Sequence, residues 1–396
     1  MSEKQTIISN GRVITPGGII EGGFVLVTGT SITSVSADKI TAAGATVIDA
    51  GGNYVSPGFI DIHIHGGGGH DFMDGTEHAF LRIAETHARY GTTAMVPTTL
   101  TSKKEDLIHT LELYKLAHKN NINGAQFLGM HLEGPYFALN QRGAQDPQFI
   151  RDPDPQEYEY ILDRYADIIT RWSAAPELPG AIEFANALLN KNILAAIAHT
   201  DAIYEDVVEA VNNGYSLVTH LYSAMLGVTR RNGYRYAGVV ESAFLMDDLD
   251  VEIITDGIHL PPPLLKLVYK IKGSKRTALI TDAMRAAGMP PGDSVLGNIH
   301  TGLKVLVEDG VAKLPDRSAF AGSVATTNRL VRNMVTMADV PLTEAIKMMC
   351  ITPATIMRVQ DKKGSLEPGK DADIVIFDEN INLNMTMVNG RIVHQV

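Results

Sequence analysis

From Phe59 to Asp282 the chain repeats one unit, a short apolar run followed by an amphipathic run of helix length. The apolar runs are Phe59–His65, Thr93–Pro97, Phe127–Glu133, Ile168–Ala174, Ile193–His199, Ser216–His220, Val251–Asp256 and Thr277–Asp282. Between them, Glu77–Tyr90, Lys103–Lys119, Ala181–Leu189, Ile203–Asn212, Val239–Met246 and Pro263–Ile271 carry apolar residues at helical spacing, and a long loop with a helix fills the stretch before Ile168. Strands this continuously apolar are buried on both faces, as in a parallel sheet covered by helices. Eight strands with helices between them predict an α/β fold, a (β/α)8 TIM-type barrel.

The two ends of the chain read differently. Thr6–Ile8, Gly11–Ile14, Gly23–Val27 and Ser31–Val35 at one end are short strands cut by Gly, Asn and Ser. At the other, Asp373–Phe377 is followed by Met385–Val388 and Arg391–Val393, joined through an Asn389–Gly390 turn. Neither end holds enough strands for a stable sheet, so both are expected to combine into one small β-sandwich. The expected division is 1–56 and 362–396 for the sandwich and 57–361 for the barrel. Gly302–Leu314 reads as a hairpin inserted after the eighth strand.

Polar residues that interrupt the apolar strands gather at their C-terminal ends: His63 and His65 on the first, Glu133 on the third, His199 on the fifth, His220 on the sixth and Asp282 on the eighth. In a TIM-type barrel that end is the catalytic mouth. Two histidines at spacing i, i+2 on a strand share a face, and the Gly66–Gly69 run behind them lets the backbone turn away sharply. Taken singly, a His-x-His pair is core packing and a strand-end carboxylate caps the next helix. Four imidazoles and two carboxylates converging on one mouth instead suit one or two divalent ions, zinc first, with iron, manganese or cobalt as alternatives. The formal net charge of −11 argues against non-specific nucleic-acid binding. The lone Cys350 fits a reducing compartment, the Met1–Gln5 start lacks the apolar core of a signal peptide, and no apolar run is of membrane-spanning length. A cytoplasmic protein without nucleic-acid or membrane partners is expected.

Asp61-Ile62-His63-Ile64-His65-Gly66, the single histidines on the fifth and sixth strands and the strand-eight aspartate resemble the amidohydrolase superfamily. Within it, His131-Leu132-Glu133-Gly134-Pro135, Thr219-His220-Leu221 followed by Ala224-Met225, Asp256-Gly257-Ile258-His259 and Ala321-Gly322-Ser323 are similar to the N-acetylglucosamine-6-phosphate deacetylases. The resemblance implies that Glu133, His199 and His220 hold one metal ion. It further implies that His63, His65 and Asp282 form a second site bridged by Glu133, with Asp282 as general base and then general acid. The implied reaction removes the acetyl group of N-acetyl-D-glucosamine 6-phosphate, an amino-sugar phosphate, in amino-sugar catabolism. Alternatives are N-acetylgalactosamine 6-phosphate, another N-acyl substrate, or a non-catalytic barrel scaffold.

Of the cluster Arg230, Arg231 and Arg235, Arg231 matches the family's phosphate-binding arginine, which reaches the neighbouring active site of a homodimer. His259 matches a phosphate-contacting histidine. Two positions depart from the family pattern: Ser223, beside Ala224, stands where an asparagine is expected, and Gln145, after Ala144, stands where a substrate-facing histidine is expected. All four belong to the implied substrate-binding set. His131 reads as structural, His70 and Asp71 as shaping the mouth, and His78, His87, His109, His118, His300 and His394 as surface or packing residues.

Overall fold

A computed structural model describes residues 4–396; Met1–Glu3, the start of the polar N-terminal segment, lie outside the described residues. The eight expected core strands are Phe59–Ile64, Thr92–Pro97, the interrupted pair Gln126–Phe127 and Met130–Glu133, Ile169–Ala174, Leu194–Ile197, Tyr215–Val218, Asp250–Ile254 and Thr277–Ile280. Each pairs in parallel with the next, Gln126–Phe127 with the second strand and Met130–Glu133 with the fourth. The last strand reaches the first through backbone bonds just beyond their ends: Asp282 N–H donates to the His63 carbonyl at 2.9 Å, and His65 N–H to that of Ala283.

One set of core side chains, including Ile60, Ile62, Ala94, Val96, Ala196 and Ile280, packs together on one face of these strands. The opposite set, including Met95, Leu132, Trp172, Ile197 and Val218, packs with the covering helices. Both faces are therefore buried, which is why the strand runs carry so little polarity. Helix Thr327–Ala338 shows how the helices dock. Leu330, Val331, Met334 and Ala338 form its buried stripe, at the three- and four-residue spacing of one helix face.

The two chain ends share a sheet. They form one eight-stranded sheet, in which Ile374–Phe377 runs antiparallel to Tyr54–Pro57 and so stitches the C-terminal strands to the N-terminal ones. The long strand Gln5–Thr15 breaks register around Asn10, whose φ is +56°. Before the break, Thr6–Ser9 pair with Thr46–Asp49; after it, Arg12 and Val13 pair with Tyr54 and Val55. Ile8, Val13, Val25, Val55, Ile374 and Met387 share one core inside this unit. Asn389 and Gly390 both take positive φ, the requirement of a two-residue hairpin turn whose twist matches its strands.

The expected hairpin over Gly302–Leu314 is larger. Gly292–Leu296, Leu303–Glu308, Val311–Lys313 and Phe320–Ser323 form a four-stranded antiparallel sheet. Its outer strands escape a pattern reading because Gly292–Leu296 is only half apolar and Phe320–Ser323 is four residues long. Ser323 N–H donates to the Asp282 carbonyl at 2.7 Å, so this sheet is anchored at the end of the eighth core strand. Among the described residues, no helix is long and apolar enough to cross a membrane.

Candidate metal centre and active-site cavity

Glu133 is the last residue of its strand, while His199, His220 and Asp282 each stand two residues beyond theirs. These last three share a left-handed backbone, with φ of +47°, +31° and +47°. For a residue with a side chain this conformation costs roughly 1–2 kcal/mol. Tyr222 and Ala224 extend the run at φ +79° and +52°. Several such residues in one mouth mark a site where the fold holds the backbone against its preference. At Gly322, φ is +69° and an added Cβ would sit 2.9 Å from the Asp282 carbonyl, so glycine keeps the approach to Asp282 open.

The Glu133 carboxylate is the hub. Its Oε1 lies 3.1 Å from His220 Nε2, 3.4 Å from His63 Nε2 and 3.5 Å from His199 Nε2. Its Oε2 lies 3.4 Å from His65 Nε2 and accepts a 2.6 Å hydrogen bond from Gln145 Nε2. Asp282 Oδ1 faces the other side, 3.2 Å from His65 Nε2 and 3.6 Å from His63 Nε2. Two overlapping groups, His63–His65–Glu133 and Glu133–His199–His220, each bring three ligand atoms within 4.8 Å of one another, and all five residues are buried.

His63 and His65 point Nε2 at Nε2 across 3.2 Å, an approach that needs a shared proton or a cation. Burial alone would drive Glu133 and Asp282 towards the neutral acid. The surrounding imidazoles, His63 above all, outweigh that and hold Glu133 well below, and Asp282 below, the usual carboxylate range. Burial likewise disfavours charge on His63, yet Glu133 and Asp282 push it up to about 10. The centre is thus two carboxylates that require positive charge between them. Imidazole nitrogen plus carboxylate oxygen is the donor set of zinc, iron, manganese and cobalt. The residues fit such an ion.

The ring orientations suit the same purpose. The His199 Nδ1 lies 2.8 Å from the Gln141 carbonyl oxygen, so its proton sits there and the Nε2 lone pair faces Glu133. His63 Nδ1 lies 3.5 Å from Glu252 Oε2. Glu252 and its partner Arg171 are fully buried mid-strand, as are Asp61 and His131. This corrects the expectation that polar residues interrupt the strands only at their C-terminal ends. Arg171 pairs with both Glu252 oxygens and donates from Nη2 to Thr219 at 2.6 Å. Asp61 accepts from Thr281 Oγ1 at 2.5 Å and, chiefly through burial, is raised to about 7. His131 is spent on Ser173 and Thr98, 2.7 and 3.2 Å away, the structural use expected of it. The sequence does carry a signal for the missed pair: a charged residue at the middle of each strand, Arg171 in Ile169–Ala174 and Glu252 in Asp250–Ile254.

Above the centre opens a cavity of about 730 Å³, lined by His65, Glu133, His199, His220 and Asp282 on its floor. Ala144, Gln145, Ser223, Ala224 and His259 line its walls. His259 is fixed by Asp256, whose Oδ2 lies 2.8 Å from its Nδ1 while Oδ1 accepts its backbone N–H. Gln145 reaches the hub itself instead of standing free in the sugar space, with Nε2 on Glu133 and Oε1 accepting from Thr101 N–H at 2.9 Å. Arg231 is the exception to the convergence. It lies on the exposed hairpin Thr229–Arg231/Tyr234–Tyr236, outside the lining of its own chain's cavity, with its guanidinium 5.4 Å from the Tyr236 ring centre.

Residues 54–393 match the amidohydrolase family. The N-acetylglucosamine-6-phosphate deacetylase of Lysinibacillus sphaericus is 33% identical over 98% of this chain and 97% of its own length. The N-acetylgalactosamine-6-phosphate deacetylase of Escherichia coli O157:H7 is 31% identical over 90% of this chain and 93% of its own. Among solved structures, the N-acetylglucosamine-6-phosphate deacetylase of Pasteurella multocida superposes with a TM-score of 0.91 at 29% identity, covering 98% of this chain and 99% of that one. With its parallel strands, its Glu133-centred mouth and these relatives, the chain belongs to the amidohydrolase family, in the branch that holds the N-acetylglucosamine-6-phosphate deacetylases.

Proposed function

We propose that the protein hydrolyses the acetamide of N-acetyl-D-glucosamine 6-phosphate to D-glucosamine 6-phosphate and acetate, in amino-sugar catabolism. The observation that carries this reading is Glu133 among four imidazoles on the floor of the cavity, with the Asp282 carboxylate directly beside them. In this reading Glu133, His199 and His220 would hold one divalent ion, zinc first, and His63, His65 and Asp282, together with Glu133, would hold a second. Such an ion brings the pKa of water towards about 7 and polarises a carbonyl.

The chain's own residues do the rest. Asp282 is held ionised, so it can accept the proton that water gives up on attacking the amide carbon. The same carboxyl then delivers that proton to the departing nitrogen, and the C–N bond breaks to release amine and acetate. The cavity is of the size that encloses a sugar phosphate. Ala144, Gln145, Ser223 and Ala224 bound the sugar, and His259 meets the phosphate from a position locked by Asp256. Arg231 supplies its planar fork to the phosphate of the neighbouring subunit in a homodimer, a reading supported by its exposure on a hairpin away from its own cavity.

The same reading takes the core strands as a closed (β/α)8 barrel over 57–361. The bonds between Asp282 and His63 and the bridge from Thr98 to His131 support that closure. It takes 1–56 and 362–396 as a β-sandwich folded at the Asn10 break around its own core. The lone buried Cys350 supports a reducing, cytoplasmic setting.

N-acetylgalactosamine 6-phosphate is the second reading, favoured by the departure at Ser223 and by the galactosamine-specific name of one relative. Acetate release over a panel of N-acetyl sugars, each with and without a 6-phosphate, tests both. The glucosamine 6-phosphate should turn over fastest; a faster galactose epimer supports the second reading, and indifference to the phosphate contradicts both.

A further inference from the structure

The two oxygens of Glu133 are not equivalent. Oε1 faces the His220, His63 and His199 nitrogens, whereas Oε2 faces His65 alone of the four and accepts the Gln145 hydrogen bond. The Gln145 amide has only one usable orientation, because Thr101 N–H donates to its Oε1 and so turns its NH2 towards Glu133. Gln145 is 6% exposed, so both bonds are largely shielded. Gln145 N–H is in turn bonded to the Arg142 carbonyl, in the loop that also presents the Gln141 carbonyl to His199 Nδ1. One loop therefore holds two members of the Glu133–His199–His220 group, while its bond to the Glu133 carboxylate falls on Oε2, the oxygen that faces His65.

We infer that Gln145 is a positioning residue that ranks the two ion-binding groups, making Glu133–His199–His220 the tighter and His63–His65–Glu133 the weaker. This rests on the reading of these residues as ion ligands. Two physical effects act in the same direction. A donor on Oε2 withdraws electron density and occupies one of its lone pairs, which weakens that oxygen as a ligand. The same bond fixes the carboxylate rotation that aims Oε1 at His199 and His220. Removing it therefore strengthens the second group, weakens the first, and narrows the gap between them.

The test is Zn2+ titration of metal-stripped protein against a competing chelator, with bound Zn2+ per chain measured directly, on wild type, Gln145→Met and Gln145→Ala. Gln145→Met keeps the volume and loses the donor, and the metal-free unfolding midpoint identifies variants that fold as wild type does. The expected result is a ratio of second to first dissociation constant that shrinks on the order of tenfold in the variants, the usual effect of an outer-shell partner. If wild type holds a single ion, the variants should gain a second. An unchanged or larger ratio, or a single ion throughout, overturns the inference while leaving the metal centre standing. A wild type that binds no Zn2+ overturns the metal reading as well.

Discussion

The guanidinium of Arg171 forks onto both carboxylate oxygens of Glu252, with Nη2 2.9 Å from Oε2, and neither side chain has any exposure. The pair spans the fourth and seventh core strands beneath the metal centre and reaches it through the 3.5 Å approach of Glu252 to His63. Removing one partner leaves the other charge buried and alone, which costs about 3–5 kcal/mol. Glu252→Gln should therefore lose about that much in equilibrium urea unfolding of the metal-free protein. Pairing it with Arg171→Met should recover a large part. A single variant as stable as wild type would show that the pair carries no such energy.

Asp282 stands 3.2 Å from His65 and 3.6 Å from His63, so it can serve either as proton carrier or as a ligand. The two roles separate in one variant. Asp282→Asn keeps shape and an oxygen but cannot take a proton. It should retain bound metal while kcat falls by about 10²–10⁴-fold. Near-normal turnover with full metal content would leave Asp282 a structural residue.

The alternation of apolar and amphipathic runs made the core strands legible, because strands buried on both faces have almost no choice of residue. The strand-end histidines and carboxylates stood out against that background, and they do meet around Glu133. Arg171 and Glu252 escape that reading, because each is a lone charge within its own strand until the pairing across 81 residues supplies its partner. The bond from Gln145 to Glu133 was hidden for another reason: it depends on the loop conformation and on Thr101 orienting the amide, and neither leaves a pattern in the sequence. The sheet after the eighth strand was half legible: its inner hairpin fell within the expected one, while Gly292–Leu296 is only half apolar and Phe320–Ser323 is too short for alternation to show.

His87 offers a pH dependence of known sign. It is fully buried, its Nε2 lies 2.9 Å from the Gly66 carbonyl, and an added Cβ on Gly67 would come within 2.4 Å of the same nitrogen. Burial lowers its pKa from 6.5 to about 4. Between these values the unfolded chain binds a proton that the folded one refuses. The stability this histidine allows is therefore present above 6.5 and lost as pH falls to about 4, by roughly 3 kcal/mol. His87→Gln should flatten that part of the curve for the metal-free protein. An unaltered slope would place the proton uptake elsewhere.

Arg231→Ala should raise KM for the sugar phosphate by roughly 10- to 100-fold, the worth of a charge-assisted bond, with a much smaller change in kcat. In the proposed homodimer Arg231 serves the neighbouring site, so mixed dimers of Arg231→Ala with Asp282→Asn should regain one sound site. An unchanged KM, or mixtures no better than their parents, would remove Arg231 from phosphate recognition across subunits.

Deacetylation at the Glu133 centre, as proposed, depends on metal. Acetate release from N-acetyl-D-glucosamine 6-phosphate should vanish when the protein is stripped of metal, return on adding Zn2+, and fail to return in Glu133→Gln given the same ion. Undiminished acetate release from metal-free protein, or full rescue of Glu133→Gln, would contradict it.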